Sequence, residues 1–159
     1  MKKALLILDP QNDFFGEDNP NLSTFQATVP VINAAIAIFR DQHWPVIFIQ
    51  HTSTRKPEGS ENWKIHQQFN HQSDDICLNK THYSAFWKTD LETTLKEKQV
   101  DSVILCGYMS EYCVLSTLRA ALERGFTAVI LESSIASLDD VLTQFTLKIS
   151  PKIRMDQLQ

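Results

Sequence analysis

The sequence predicts an open, mostly parallel α/β sheet with helices on both faces, and three observations carry that expectation. Four short runs, "KALLIL" (3–8), "PVIFIQ" (45–50), "SVILCG" (102–107) and "TAVILE" (127–132), are almost wholly apolar. Such runs suit strands buried on both faces of a parallel sheet. Segments with helical apolar spacing lie between them, and strand–helix–strand alternation favours parallel pairing. The chain has 159 residues, 43% of them hydrophobic and 21% charged, which suits one globular domain spanning 1–159.

Each element follows in order. The first run ends at Asp9 after a basic "MKK" start, and its five apolar residues are too few for a secretory signal. It therefore reads as a buried strand. Val29, Ile32, Ile36 and Phe39 recur at helical spacing, with Pro30 expected in the first turn. "DDICLNK" (74–80) is a weaker strand. Leu91 and Leu95 mark a short amphipathic helix. Val114, Leu115, Leu118, Ala121 and Leu122 mark another, closed by Gly125. A last helix is expected to open at Ser137, with Asp139 and Asp140 in its first turn and Val141, Leu142 and Phe145 turned inward. "KIRM" (152–155) is too weak to predict a sixth strand.

Composition narrows the function. A net charge of −4 with scattered basic residues gives no case for a nucleic-acid partner. No stretch approaches the roughly 20 apolar residues of a membrane span, so no membrane partner is expected. Cys77, Cys106 and Cys113 are odd in number and form no C-x-x-C, which argues against a disulfide framework or zinc ribbon and for a reducing cytoplasm. Segments 14–27 and 52–73 are irregular and leave the carboxyl ends of strands. In an open α/β sheet such loops line the binding crevice, so both are candidate substrate-gating loops.

Three residues at strand ends could carry chemistry. Asp9 is a carboxylate directly after an apolar run, costly unless partnered or functional; as a turn or cap residue it would be unremarkable. Lys80 is ordinarily a solvated charge, but beside Asp9 its ammonium would favour the ionised forms of its neighbours. Cys113 falls in the first turn of a helix, where the dipole and free N–H groups favour a thiolate and an oxyanion. Alone it is the better fit to a packing residue, as Cys77 and Cys106 are inside strands. Strand ends converge in this fold class, so the three read more strongly together than singly.

At these residues the chain resembles the isochorismatase-like cysteine hydrolases. "LLILDPQNDFF" is similar to their D-x-Q-x-D-F opening, "KTHYSAF" to their K-x-x-x-S-A-F segment, and "VILCGYMSEYCVLSTLRAALERGF" to their strand–turn–cysteine–helix block. Order and spacing agree over residues 3 to about 136. The resemblance implies a three-layer α/β/α sandwich, Rossmann-like, with a catalytic triad of Asp9, Lys80 and Cys113. It also implies a cis peptide at Tyr108–Met109, backbone N–H groups of Met109 and Cys113 as the oxyanion hole, a small-molecule substrate and a homo-oligomer, dimer or tetramer. The implied reaction is cleavage of a C–N bond in a small amide or carbamoyl compound through a Cys113 thioester, with Asp9 as base.

Departures from the pattern matter as much. Nicotinamidases of the family hold a divalent metal with D-x-H and a later histidine, but "FIQHTSTRKPEG" has no Asp-x-His, and His51, His66 and His71 match no metal spacing. No metal and no cofactor are therefore expected. A metal-dependent nicotinamidase, a vinyl-ether hydrolase of the isochorismatase type and a catalytically silent binding domain are the alternatives; Cys113 favours acyl chemistry. Ser110 and Glu111 stand where many relatives have Thr-Asp, beside the nucleophile. Asp13 reads as a loop-fixing carboxylate. Gln11, Phe14 and Tyr112 are candidate substrate-binding residues, with holding the turn as the equal alternative for Gln11; Tyr83, Phe86 and Trp87 are left to the core.

Overall fold

The structure is a computed structural model and describes residues 2–158. Six strands form one parallel sheet: β1 (Lys3–Leu8), β2 (Val46–His51), β3 (Ile76–Lys80), β4 (Ser102–Tyr108), β5 (Thr127–Ala136) and β6 (Lys152–Ile153), in the order β3-β2-β1-β4-β5-β6. Four α-helices accompany it: α1 (Leu22–Asp41), α2 (Leu91–Glu97), α3 (Leu115–Glu123) and α4 (Asp140–Ile149). The chain runs outward from β1 to β3, then returns to the other side of β1 with β4. The topological switch point thus lies between β1 and β4, where α/β sheets open a crevice at the carboxyl ends.

Alternation along the strands builds two cores. Leu5, Ile7, Phe48, Ile104 and Cys106 face α1, which contributes Phe25, Ile32, Ile36 and Phe39. Leu6, Leu8, Ile47, Ile49, Val103 and Leu105 face the other way, against Leu91 and Leu95 of α2 and Leu118 and Ala121 of α3. Strand residues of opposite parity point to opposite faces, which is why apolar side chains occupy nearly every position. At Gly107 (φ 105°) a Cβ would lie 2.0 Å from the Leu8 carbonyl oxygen, so only glycine lets β4 close on β1 at the switch point.

Several expectations need correction. α1 begins at Leu22, so Pro30 sits inside it rather than in its first turn. Pro30 and Gln26, whose carbonyl loses the Pro30 N–H, are both exposed, so water can take the freed acceptor. α1 is also long and apolar enough, by length and composition alone, to cross a bilayer. Its buried stripe from Phe25 to Phe39 packs on the sheet, as a core helix does. A sixth strand does form: Lys152 and Ile153 pair with Ile130 and Leu131.

α4 differs most from expectation. It starts at Asp140, capped by the Asp139 carboxylate accepting from the Val141 N–H at 2.9 Å. Its faces are reversed: Thr143 and Thr146 are buried, while Val141 is 71% and Phe145 53% exposed, with Leu142 and Ile149 also outward. Cys77 is corrected too. It is exposed on β3, an edge strand, with Sγ 3.3 Å from His71 Nε2. Cys106 is buried, as expected.

Candidate active site

Asp9 follows β1 in the left-handed region (φ 51°), which aspartate tolerates better than most residues. Its N–H donates to the Ile49 carbonyl at 2.8 Å. Lys80 ends β3, two strands away, with β2 between, and pairs in register with His51. Its long side chain spans that gap. Beyond β4 the Tyr108–Met109 peptide is cis, and a π-helical turn, Ser110–Val114, carries Cys113 into α3.

The three side chains meet. Lys80 Nζ lies 3.1 Å from Asp9 Oδ1, 3.3 Å from Asp9 Oδ2 and 3.1 Å from Cys113 Sγ. It also donates to the His82 carbonyl and to His51 Nδ1, each at 3.1 Å. The ammonium is almost wholly buried, as are Asp9 and Cys113. A buried lysine keeps its charge only with such partners. Burial pulls the Lys80 ammonium down, but its partners Asp9 and Cys113 together outweigh it, and the net is a pKa above the ordinary lysine range. Burial pushes the Cys113 thiol up to about 12, the Asp9 charge adding to the rise and Lys80 opposing it. The resting sulfur is therefore a thiol. Asp9 Oδ1 is a buried oxygen that no donor reaches in hydrogen-bonding geometry.

His51 belongs to this cluster although its sequence context gave no metal motif. Burial and then Lys80 hold its imidazole below the ordinary range, so neutral Nδ1 accepts from the ammonium. Asp9, His51 and Cys113 bring one potential ligand atom each within 4.8 Å of one another. These residues do not fit a divalent ion. The Lys80 ammonium already sits 3.1–3.3 Å from all three, and a second cation there would meet it without screening. His66 and His71 lie elsewhere: His66 bonds Asn12 and stacks on Phe15, and His71 contacts Cys77 and Phe48.

A cleft of about 290 Å³ opens over the sulfur, lined by Asp9, Phe14, His51, Lys56, Tyr83, Met109, Tyr112 and Cys113. Phe14 and Tyr112 thus stand where the sequence reading put them. Tyr83 was missed; it stacks on Tyr112 at 5.0 Å between ring centroids. Phe86 is core, and Trp87 is exposed outside the cleft. Gln11 is a correction: it is fully buried outside the cleft, donating to the His51 and Trp63 carbonyls and accepting from the His51 N–H. Its amide holds the end of β2, which explains the residue without a substrate. Asp13 pairs with Lys56 at 2.7 Å, fixing the loop. Ser110 and Glu111 turn away from the cleft: Ser110 bonds Thr143 of α4 and Glu111 bonds Ser137. A larger cleft of about 500 Å³ lies at the opposite end of the strands, around Arg40, Trp44 and Asp75. It holds none of the three convergent groups, so chemistry rather than volume selects the smaller one.

The sequence profile of the isochorismatase domain matches residues 3–149. The isochorismatase family protein YddQ of Bacillus subtilis is 28% identical over 96% of this chain and 84% of its own length. Among solved structures, an isochorismatase-like hydrolase from Alkaliphilus metalliredigens superposes with a TM-score of 0.89 at 25% identity, covering 99% of this chain and 96% of that one. The nicotinamidase PncA of Bacillus subtilis superposes with a TM-score of 0.80 at 27% identity, covering 93% of each chain.

Proposed function

The chain belongs to the isochorismatase family and is a hydrolase of that family; from that premise we propose that it cleaves a C–N bond of a small amide or carbamoyl compound, with Cys113 as nucleophile. The observation that carries this reading is Asp9, whose Oδ1 is ion-paired with Lys80 but accepts no hydrogen bond, beside a thiol that shares the same ammonium. A buried base with a free lone pair and a protonated nucleophile are the two halves of one proton transfer. The likeness to a nicotinamidase supports amide rather than vinyl-ether chemistry.

In this reading Asp9 takes the thiol proton as Cys113 Sγ bonds to the substrate carbonyl carbon. The carbonyl π electrons move onto oxygen, and the backbone N–H groups of Met109 and Cys113 receive that charge. Among the described residues, the Met109 N–H has no backbone acceptor, as such a donor requires. The tetrahedral species collapses, the C–N bond breaks, and Asp9 returns its proton to the leaving nitrogen. Water then adds to the thioester, giving a proton to Asp9; collapse expels the thiolate, which recovers that proton. Lys80 stays charged throughout and is never the proton donor.

The exposed face of α4 supports self-association, and the occupant we assign to it is a second copy of this chain. Val141, Leu142, Phe145 and Ile149 form one outward apolar stripe, flanked on one side by Asp140 and Lys148. Two copies packed antiparallel about a two-fold axis would set Asp140 of each against Lys148 of the other.

The test is ammonia release across small amides, including nicotinamide, pyrazinamide and N-carbamoyl amino acids, with Cys113→Ala as blank. Intact-mass measurement in the steady state should find an acyl adduct on Cys113. Turnover that survives in Cys113→Ala, or vinyl-ether cleavage without amide cleavage, would refute the proposal.

A further inference from the structure

The cleft holds a second ammonium that the mechanism does not use. Lys56 comes from the β2–β3 connection, its side chain is 9% exposed, and it lines the same cleft as Asp9, His51 and Cys113. An ammonium has three N–H donors. One bonds Asp13 Oδ2 at 2.7 Å, and among the described residues the side chain reaches no other acceptor. The charge also lies 5.2 Å from the Phe14 ring centroid. A nearly buried cation whose further donors face a cleft of ligand size can serve as a recognition group as well as hold its loop.

Charge counting selects what it recognises. Asp9 cancels Lys80 and Asp13 cancels Lys56, so the cleft carries no net charge for an anion. A substrate carboxylate on Lys56 would also meet the Asp13 carboxylate across the same nitrogen. A neutral acceptor meets the ammonium without that repulsion. The remaining walls, Phe14, Tyr83, Met109 and Tyr112, suit a flat, weakly polar body.

We propose that Lys56 determines specificity: its free N–H donors hold a neutral hydrogen-bond acceptor, a ring nitrogen or carbonyl oxygen, at the end of a small planar amide remote from the scissile carbonyl. This rests on the reading that Cys113 attacks that carbonyl.

Aldehydes that add reversibly to a cysteine test the subsite without turnover. Benzaldehyde, pyridine-3-carboxaldehyde and 3-carboxybenzaldehyde are titrated as protectants of Cys113 against iodoacetamide, read by intact mass. The loss of affinity from wild type to Lys56→Met is then compared between aldehydes, which cancels their intrinsic reactivities. The pyridine aldehyde should weaken about tenfold and benzaldehyde less than about twofold, the difference expected for one charge-assisted hydrogen bond. The double variant Lys56→Met/Asp13→Asn, which leaves no carboxylate unpaired, should repeat the pattern and decides the matter if the single variant folds poorly. Equal losses for benzaldehyde and the pyridine aldehyde overturn the proposal. So does a largest loss for the carboxylate aldehyde, which would make the ligand class anionic. If no aldehyde protects wild-type Cys113, the nucleophile assignment fails and this inference falls with it.

Discussion

Replacing Asp9 by Asn should separate two properties that usually change together, the reactivity of the resting thiol and catalytic turnover. Burial is the main cause of the raised Cys113 thiol, and the Asp9 charge is the second. A carboxylate oxygen and Sγ lie within 4.8 Å. At an effective dielectric constant of about 20, unit charges at that separation interact by about 3.5 kcal/mol, or about 2.5 pH units of thiol acidity. Asn keeps the shape and removes the charge, leaving the opposing pull of Lys80 in place. The thiolate fraction at pH 8 then rises by about two to three powers of ten, and the weaker nucleophilicity of a more acidic thiolate takes back about one. Iodoacetamide should therefore alkylate Cys113 about 10- to 100-fold faster in Asp9→Asn. Amide turnover should fall by at least about 10²-fold, because the base is gone. Alkylation is followed by intact mass at pH 8 with Asp9→Asn/Cys113→Ala as blank, turnover by ammonia release, and folding by circular dichroism. If alkylation slows in step with turnover in a folded variant, Asp9 does not act by receiving the thiol proton, and the mechanism is wrong.

Other consequences can be checked directly. The folded thiol keeps its proton up to about 12 while the unfolded thiol loses it near 9.0, so its contribution to stability is whole below about pH 9 and is lost as pH rises toward about 12. Wild type should lose about 1.4 kcal/mol per pH unit more than Cys113→Ala across that window in urea unfolding, and parallel pH profiles would contradict the assignment. Gln11→Ala removes three hydrogen bonds to backbone and should cost about 2–3 kcal/mol by the same assay; an unchanged midpoint would return Gln11 to the substrate list. Because the ammonium fills the ligand cluster, we expect turnover to persist after EDTA treatment, and loss with EDTA rescued by zinc would overturn that. Phe145→Glu should lower the mass measured by light scattering from oligomer to monomer, and a monomeric wild type would remove the α4 interface altogether.

The fold was largely legible in the sequence because a parallel sheet buried on both faces writes itself as continuous apolar runs. The departures have separable physical causes. Pro30 looked like a first-turn residue because the preceding turns, Leu22 to Thr28, include polar residues that face solvent from a helix the sheet supports. The β6 pairing rests on two residues and is set by the neighbouring β5 rather than by local pattern. α4 was misoriented because apolar periodicity reports an amphipathic face but not what covers it. On this chain the polar face, through Thr143 bonded to Ser110, is the one turned to the domain.

The site was legible only where chain direction and chemistry coincide. Asp9 and Cys113 follow β1 and β4 at the switch point, and Lys80 ends β3, so the convergence of strand ends, joined to the family resemblance, pointed to them. Lys56 and Tyr83 come from connections whose paths depend on pairs such as Asp13–Lys56 and Tyr83–Tyr112, distant in sequence. His51 was visible as a histidine at the end of β2, but its role depends on a lysine from the next strand reaching across it.

That reach also resolves how a thiol pushed up to about 12 could serve near neutrality. It need not surrender its proton to water. Moving the proton from Cys113 Sγ to Asp9 shifts one negative charge from oxygen to sulfur, and Lys80 Nζ lies 3.1 Å from both. The buried cluster carries the same net charge before and after, so the transfer incurs little new desolvation, and the ammonium stabilises either form. A more exposed lysine would be screened and would favour neither. The burial that makes the thiol unreactive toward solvent is then the condition under which Asp9 can activate it for a bound carbonyl.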